Sequence, residues 1–145
     1  MAVALDPFGD VTRDAAGRLL SQDQVLRNVV AEAVLADQVG VDVIALGEHH
    51  RDDFAISAPE ILLANIAART QRIRLATGVT VLSTDDPIRL YQRFSTLNAI
   101  SGGRGEVILG RGSFTESYPL FGHDMRNYET LFEEKLDLFA TVNRG

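Results

Sequence analysis

The sequence predicts an α/β protein built on a parallel sheet of about four strand-helix units, and three observations predict it. Short apolar runs alternate with longer amphipathic stretches along the whole of the 145 residues. Helix-opening signals stand between them, a capping side chain often followed by proline. Glycine and polar residues gather just after each apolar run, where parallel sheets keep their chemistry.

The first strand is Val3 to Leu5, followed by a polar loop, DPFGDVTRDAAGRLL, whose proline and glycine break any continuing element. Ser21 opens the first helix, its hydroxyl taking an orphan amide while Gln24 reaches back in a capping box. Val25, Val29, Val30, Ala33, Val34 and Val39 form the buried stripe of that helix, and Gly40 closes it. The second strand, Val41 to Leu46, ends at Gly47. Ser57 and Glu60 form a second capping box, with Pro59 in the first turn, for a helix running to about Thr70. The third strand covers Ile73 to Val79, Asp86 and Pro87 open the third helix, and Gly102-Gly103 closes it. After a fourth strand, Glu106 to Leu109, a long glycine-bearing loop leads to Asn127, which caps a last helix carrying Leu131, Phe132, Leu136 and Phe139. Four such units fit either an open doubly wound sheet or part of an eightfold barrel.

Composition narrows the function. With 20 acidic against 14 basic residues the net charge is −6, and no Lys or Arg run exists to follow a phosphate backbone, which argues against a nucleic-acid reader. The absence of cysteine removes disulfides, thiolate metal sites and a cysteine nucleophile, and permits a reducing, cytoplasmic compartment. The longest apolar runs fall far short of the ~20 residues of a membrane span, and the start, MAVALDPFGD, is not a secretion signal. Residues 1–145 read as a single globular domain with no linker.

Four strand ends carry the candidate site: Asp6-Pro7-Phe8, Glu48-His49-His50 after Gly47, Thr77-Gly78-Val79, and Gly110-Arg111-Gly112-Ser113. Adjacent histidines on an extended backbone point to opposite sides, so one of the two is expected to face the site. They are either loop imidazoles bonded to nearby backbone or a general acid or base titrating near neutral pH. No metal is expected, since the other strand ends offer only Asp6 as a further ligand. The glycines around Arg111 read as an anion pocket or as an ordinary turn with a solvated arginine. Gly78 lets a flat ring lie against backbone, or simply belongs to a buried strand. Phe114, Tyr118 and Phe121 are expected to pack the loop, and Arg69, Arg72 and Arg74 to form a solvated face at the opposite strand ends.

The strings GEHHRDDFAISAPE, ATGVTVLSTDDPIRLYQRFSTL and SGGRGEVILGRGSFTESYPLFG, in this order, resemble the luciferase-like family of flavin-dependent monooxygenases. The resemblance implies a (β/α)8 TIM barrel binding reduced FMN, or in some branches a deazaflavin, at the carboxyl ends of its strands. It implies that His49 is the catalytic imidazole, that Glu48 lies beside the flavin ring, and that Arg111 contacts the flavin phosphate. It places a non-proline cis peptide between Gly78 and Val79, beneath the flavin ring. The substrates implied are dioxygen and a small organic molecule, with a flavin reductase among the implied partners.

A whole barrel takes ~250 residues, so 145 residues amount to an amino-terminal half barrel of about four units. Half a barrel leaves two sheet edges unpaired and an inner face uncovered. Strands such as Val41 to Leu46 and Val107 to Leu109 are then expected to expose apolar surface, and the chain to self-associate or to pair with a complementary half. Two readings follow: a monooxygenase complete only when assembled, and a catalytically silent half barrel that binds flavin or serves as an assembly partner.

Overall fold

Strand β1 (Ala4–Leu5) opens the sheet, and the preceding Val3 amide donates to the Asp42 carboxylate at 2.8 Å, pinning the strand to its neighbour. In this computed structural model residues 1–144 are described; Gly145, included in the expected single domain, lies outside them. Helix α1 (Gln22–Val39) begins with Ser21 accepting from the Gln24 amide as expected, but the Gln24 side chain does not reach back and instead donates to Asn28 and accepts from Arg27; the helix ends at Gly40, whose φ of 88° is left-handed. Val25, Val29 and Ala33 are buried, and Val30 is partly so. Val39, expected in the same stripe, is 69% exposed, because the helix stops there and no further turn covers it. Strand β2 (Val43–Leu46) starts two residues later than expected, since the Val41 amide is committed to Ala36 in the closing turn of α1.

Helix α2 (Pro59–Ala67) has proline in its first turn as expected, but Ala58 holds the cap position and no side chain caps it. Pro59 is the first helical residue, which moves the cap off Ser57; Glu60 is released to pair with Arg93 at 2.7 Å. The expected third strand, Ile73 to Val79, is shortened to β3 (Arg74–Thr77), which ends at a cis peptide between Gly78 and Val79, and an unexpected strand, β4 (Thr80–Val81), follows it. Helix α3 (Pro87–Ile100) is capped by Asp86, which accepts from the Ile88 and Arg89 amides, and is followed by Gly102 and Gly103 at positive φ, all as expected. The fourth segment runs beside β3 at Arg104–Glu106 and beside β4 as β5 (Leu109–Gly110), so its pairing lapses where β3 gives way to β4. A short helix that sequence reasoning missed, α4 (Ser117–Leu120), interrupts the next loop. Helix α5 (Tyr128–Arg144) follows a 3-10 turn capped by Asp124; that carboxylate, rather than Asn127, takes the free amide, from Arg126.

All pairings between strands are parallel and follow chain order, β1-β2-β3 and β4-β5, joined through Leu75 and Gly105. With no reversal of order, right-handed crossovers put the helices on one face, and they pack in series, α1 on α2, α2 on α3, α3 on α5. That arrangement sets aside the doubly wound sheet, which carries helices on both faces. Ile44, Leu46 and Leu75 meet Leu63, Ile66, Leu90 and Phe94 in the core. Strand Val43–Leu46 is therefore covered rather than exposed, and along the strands apolar exposure falls at the two sheet edges, on Leu5 (43%) and Ile108 (50%). Among the described residues no helix is long and apolar enough to cross a membrane.

Candidate functional site

A cavity of about 520 Å³ opens where the strand ends converge. Phe8 enters it from the end of β1, Glu48, His49 and His50 from β2, Gly78 and Val79 from β3, and Gly112 and Ser113 from β5. Of the expected site residues it brings together Glu48, His49, Gly78, Val79, Gly112 and Ser113. Thr77, Gly110 and Arg111 are not part of its wall. Thr77 is fully buried and its hydroxyl accepts from that of Thr80 at 2.9 Å. Gly110 lies so close to Val79 that a Cβ would meet the valine Cγ2 at 2.4 Å. The Arg111 guanidinium turns behind the loop, to Glu129 at 3.0 Å and over the Phe132 ring at 5.1 Å.

Both histidines, rather than one, face the cavity, because the extended strand has ended at Leu46 and the chain is bending; the His49 amide already donates to Ile56. The His49 ring is stacked on Phe54, with Phe8 and Phe114 edge-on at 5.3 and 5.1 Å. Both its nitrogens are buried without a hydrogen-bond partner among the described residues. Burial pushes its pKa below the usual imidazole value, against the opposing pull of Glu116, Asp10 and Glu48. At neutral pH the ring is uncharged and able to accept a proton.

His50 is bound differently. Its Nε2 lies 2.8 Å from Glu48 Oε1, while Glu48 Oε2 accepts the Val81 amide at 2.9 Å. The Glu48 carboxylate thus ties the end of β2 to β4, and both its oxygens are engaged. Gly78 presents backbone to the cavity, but the space its side chain would fill belongs to Asp6 and Ala45; a Cβ would lie 2.9 Å from Asp6 Oδ1. Partial burial raises the Asp6 pKa, opposed by His49. Tyr118 packs as expected, fully buried, whereas Phe114 lies against His49 and Phe121 edge-on to His50 at 5.0 Å. Sequence reasoning missed Phe54 and Ser117; Phe54 stands in the same RDDF string that follows the histidines, the one signal available for it. At the far ends of the strands the basic face is less free than expected: Arg72 donates to the Asp37 carbonyl and Arg74 pairs with Glu106.

The arrangement suits a planar aromatic cofactor with an anionic tail. Its volume lies within the ~300–1,000 Å³ of ordinary cofactor and ligand sites. The orphaned His49 nitrogens await a polar partner, and the glycine-bearing loop leaves room for an anion to approach backbone amides.

A family model described as luciferase-like monooxygenase matches residues 7–145. The 4-hydroxyprotoasukamycin monooxygenase of Streptomyces nodosus subsp. asukaensis is 36% identical over 110 residues, 75% of this chain and 30% of its own. The oxygenating constituent of 3,6-diketocamphane monooxygenase from Pseudomonas putida, solved in complex with FMN, superposes with a TM-score of 0.85 at 25% identity, over 98% of this chain and 39% of that one. An F420-dependent secondary alcohol dehydrogenase shares the fold, with a TM-score of 0.73 at 17% identity, over 97% of this chain and 42% of that one. The chain spans 30 to 38% of the length of the curated relatives it matches.

Proposed function

The chain belongs to the luciferase-like monooxygenase family, and from that premise we propose that it forms the amino-terminal half of a (β/α)8 barrel and binds reduced FMN at its strand ends for oxygenation of a small organic substrate. The observation that carries this reading is the convergence of His49, Gly78-Val79 and Gly112-Ser113 on one cavity. The consecutive parallel order of the sheet, with its helices in series on one face, supports the half barrel.

Bound in its reduced form, the flavin supplies the electrons that activate dioxygen. The protein supplies the rest. Neutral His49 accepts a proton from the reacting group and returns it, its orphaned nitrogens being the polar atoms within the aromatic wall. Phe8, Phe54 and Phe114 keep water from that imidazole. Glu48 holds β4 in place through the Val81 amide, and the backbone of Gly78 and Val79 would support the flavin ring. The amides of Gly112 and Ser113, with Arg111 behind them, would hold the phosphate.

FMN titration of the purified chain, with NAD(P)H-dependent oxygen uptake in the presence of a flavin reductase, tests the proposal. Micromolar binding and uptake that falls by a factor of ~100 or more in His49→Ala are expected. Binding without uptake favours the silent half barrel. No binding of FMN, with binding of F420 instead, replaces the flavin by a deazaflavin.

A further inference from the structure

The loop Arg111–Ser113 is gripped from behind by two tyrosine hydroxyls. Tyr118 Oη donates to the Arg111 carbonyl and Tyr128 Oη to the Gly112 carbonyl, each at 3.2 Å. The two rings lie 5.7 Å apart, one from the buried face of helix α4 and one from the first turn of α5. A trans peptide is planar, with its C=O and N–H pointing in opposite directions. Fixing the Arg111 carbonyl toward Tyr118 therefore turns the Gly112 amide away from the tyrosines, and fixing the Gly112 carbonyl toward Tyr128 does the same for the Ser113 amide. Neither amide donates to an acceptor among the described residues, and both residues line the cavity. Gly112, at φ 78°, is in the left-handed conformation that brings successive amides round to a common point. Independently, Ser117, 2% exposed, lines the same cavity with its hydroxyl unpartnered.

We propose that Tyr118 and Tyr128 are positioning residues, whose hydroxyls aim the Gly112 and Ser113 amides into the cavity as a paired donor site for the phosphate of the flavin, with the Ser117 hydroxyl as a third donor. This inference rests on the reading that the cofactor phosphate lies at this loop. The tyrosines touch no ligand. They act by holding two carbonyls away from an anion that those carbonyls would otherwise repel.

The test compares dissociation constants for FMN and for riboflavin, which lacks the phosphate, in the unmodified chain and in Tyr118→Phe, Tyr128→Phe and Ser117→Ala, with thermal melts alongside. Each change is expected to weaken FMN about fivefold, the weight of one modest hydrogen bond, and to leave riboflavin unchanged. Equal weakening of both flavins means that the tyrosines only support the fold, and overturns the inference; so does an FMN preference that survives both phenylalanines. Because Tyr118 is fully buried, Tyr128→Phe keeps the test standing if Tyr118→Phe fails to fold. An unmodified chain that binds FMN no better than riboflavin overturns the phosphate reading itself, and the inference with it. Arg111→Ala separates the two failures: by removing the positive charge behind the loop it reduces FMN preference when the phosphate lies there, whether or not the tyrosines matter.

Discussion

The imidazole of His49 lies on the ring of Phe54, with centroids 4.2 Å apart and planes inclined by 28°. With Phe8 and Phe114 edge-on, Phe54 helps to separate the imidazole from water, and desolvation is the leading cause of its depressed pKa.

Phe54→Ala reopens the imidazole to solvent and is expected to move its midpoint up toward ~6.5, as read from NMR titration of the ring protons. A midpoint that stays put refutes desolvation by Phe54 as the cause. The sign for stability follows. Above the unfolded value both states hold a neutral ring and pH has no effect. As pH falls below about 6.5 the unfolded chain takes up a proton that the folded chain refuses, so stability declines. His123, also depressed by burial, acts in the same direction. His49→Gln is expected to flatten part of that decline in urea titrations.

Asp37 caps no helix, yet it accepts from the amides of Gln71, Arg72 and Ile73 at 3.0, 2.9 and 2.7 Å, tying the end of α1 to the entrance of β3. Burial works to raise its pKa, and the three amide bonds outweigh that and hold it below the ordinary carboxylate value. Its contribution is present above pH ~3.8 and is lost as pH falls through the folded value. Asp37→Ala orphans three donors and is expected to cost about 2–4 kcal/mol in urea denaturation. A loss under about 0.5 kcal/mol refutes the role.

Gly112→Ala faces two obstacles, a positive φ and a Cβ that would meet Val81 Cγ1 at 2.8 Å. Gly122→Ala faces only the first, since nothing lies within 4 Å of its Cβ. The backbone term is ~1–2 kcal/mol for each. Calorimetric melts are expected to show the larger loss at Gly112, with FMN binding weakened only there. Equal losses contradict the packing argument.

Glu129 sits on α5 beside the guanidinium proposed to help hold the phosphate, and its charge opposes an incoming anion. Both side chains are substantially exposed, so the pair itself stabilises the fold little. Glu129→Gln is expected to tighten FMN about threefold at low ionic strength, with the gain shrinking as salt is added. Weaker binding in the variant shows that Glu129 orients Arg111 productively instead.

Much of the frame was legible because its signals are local. Ser21 with Gly40, and Asp86 with Pro87, declare helix ends within a few residues, and the rule that chemistry collects after parallel strands led to four of the four loops that meet. Ser57 misled because the cap belongs to the residue before a first-turn proline, the same rule that reads Asp86 correctly. What stayed hidden depends on chain segments brought together by folding. Asp37 meets residues 34 to 36 positions away, and the Tyr128 hydroxyl reaches a carbonyl 16 positions back. The turning of Arg111 toward Glu129 is of the same kind, since no local pattern announces an ion pair 18 positions apart.

Strands β1 and β5 stand at the two margins of the array and point the same way. Hairpins, whose two arms run oppositely, satisfy at most one margin. Both are met together by a second set of like-directed strands rotated through a half turn about the common axis, and such a set brings its own loops to the rim that already carries the imidazole. In the barrel proposed above, like-directed strands that complete the ring therefore also roof the pocket.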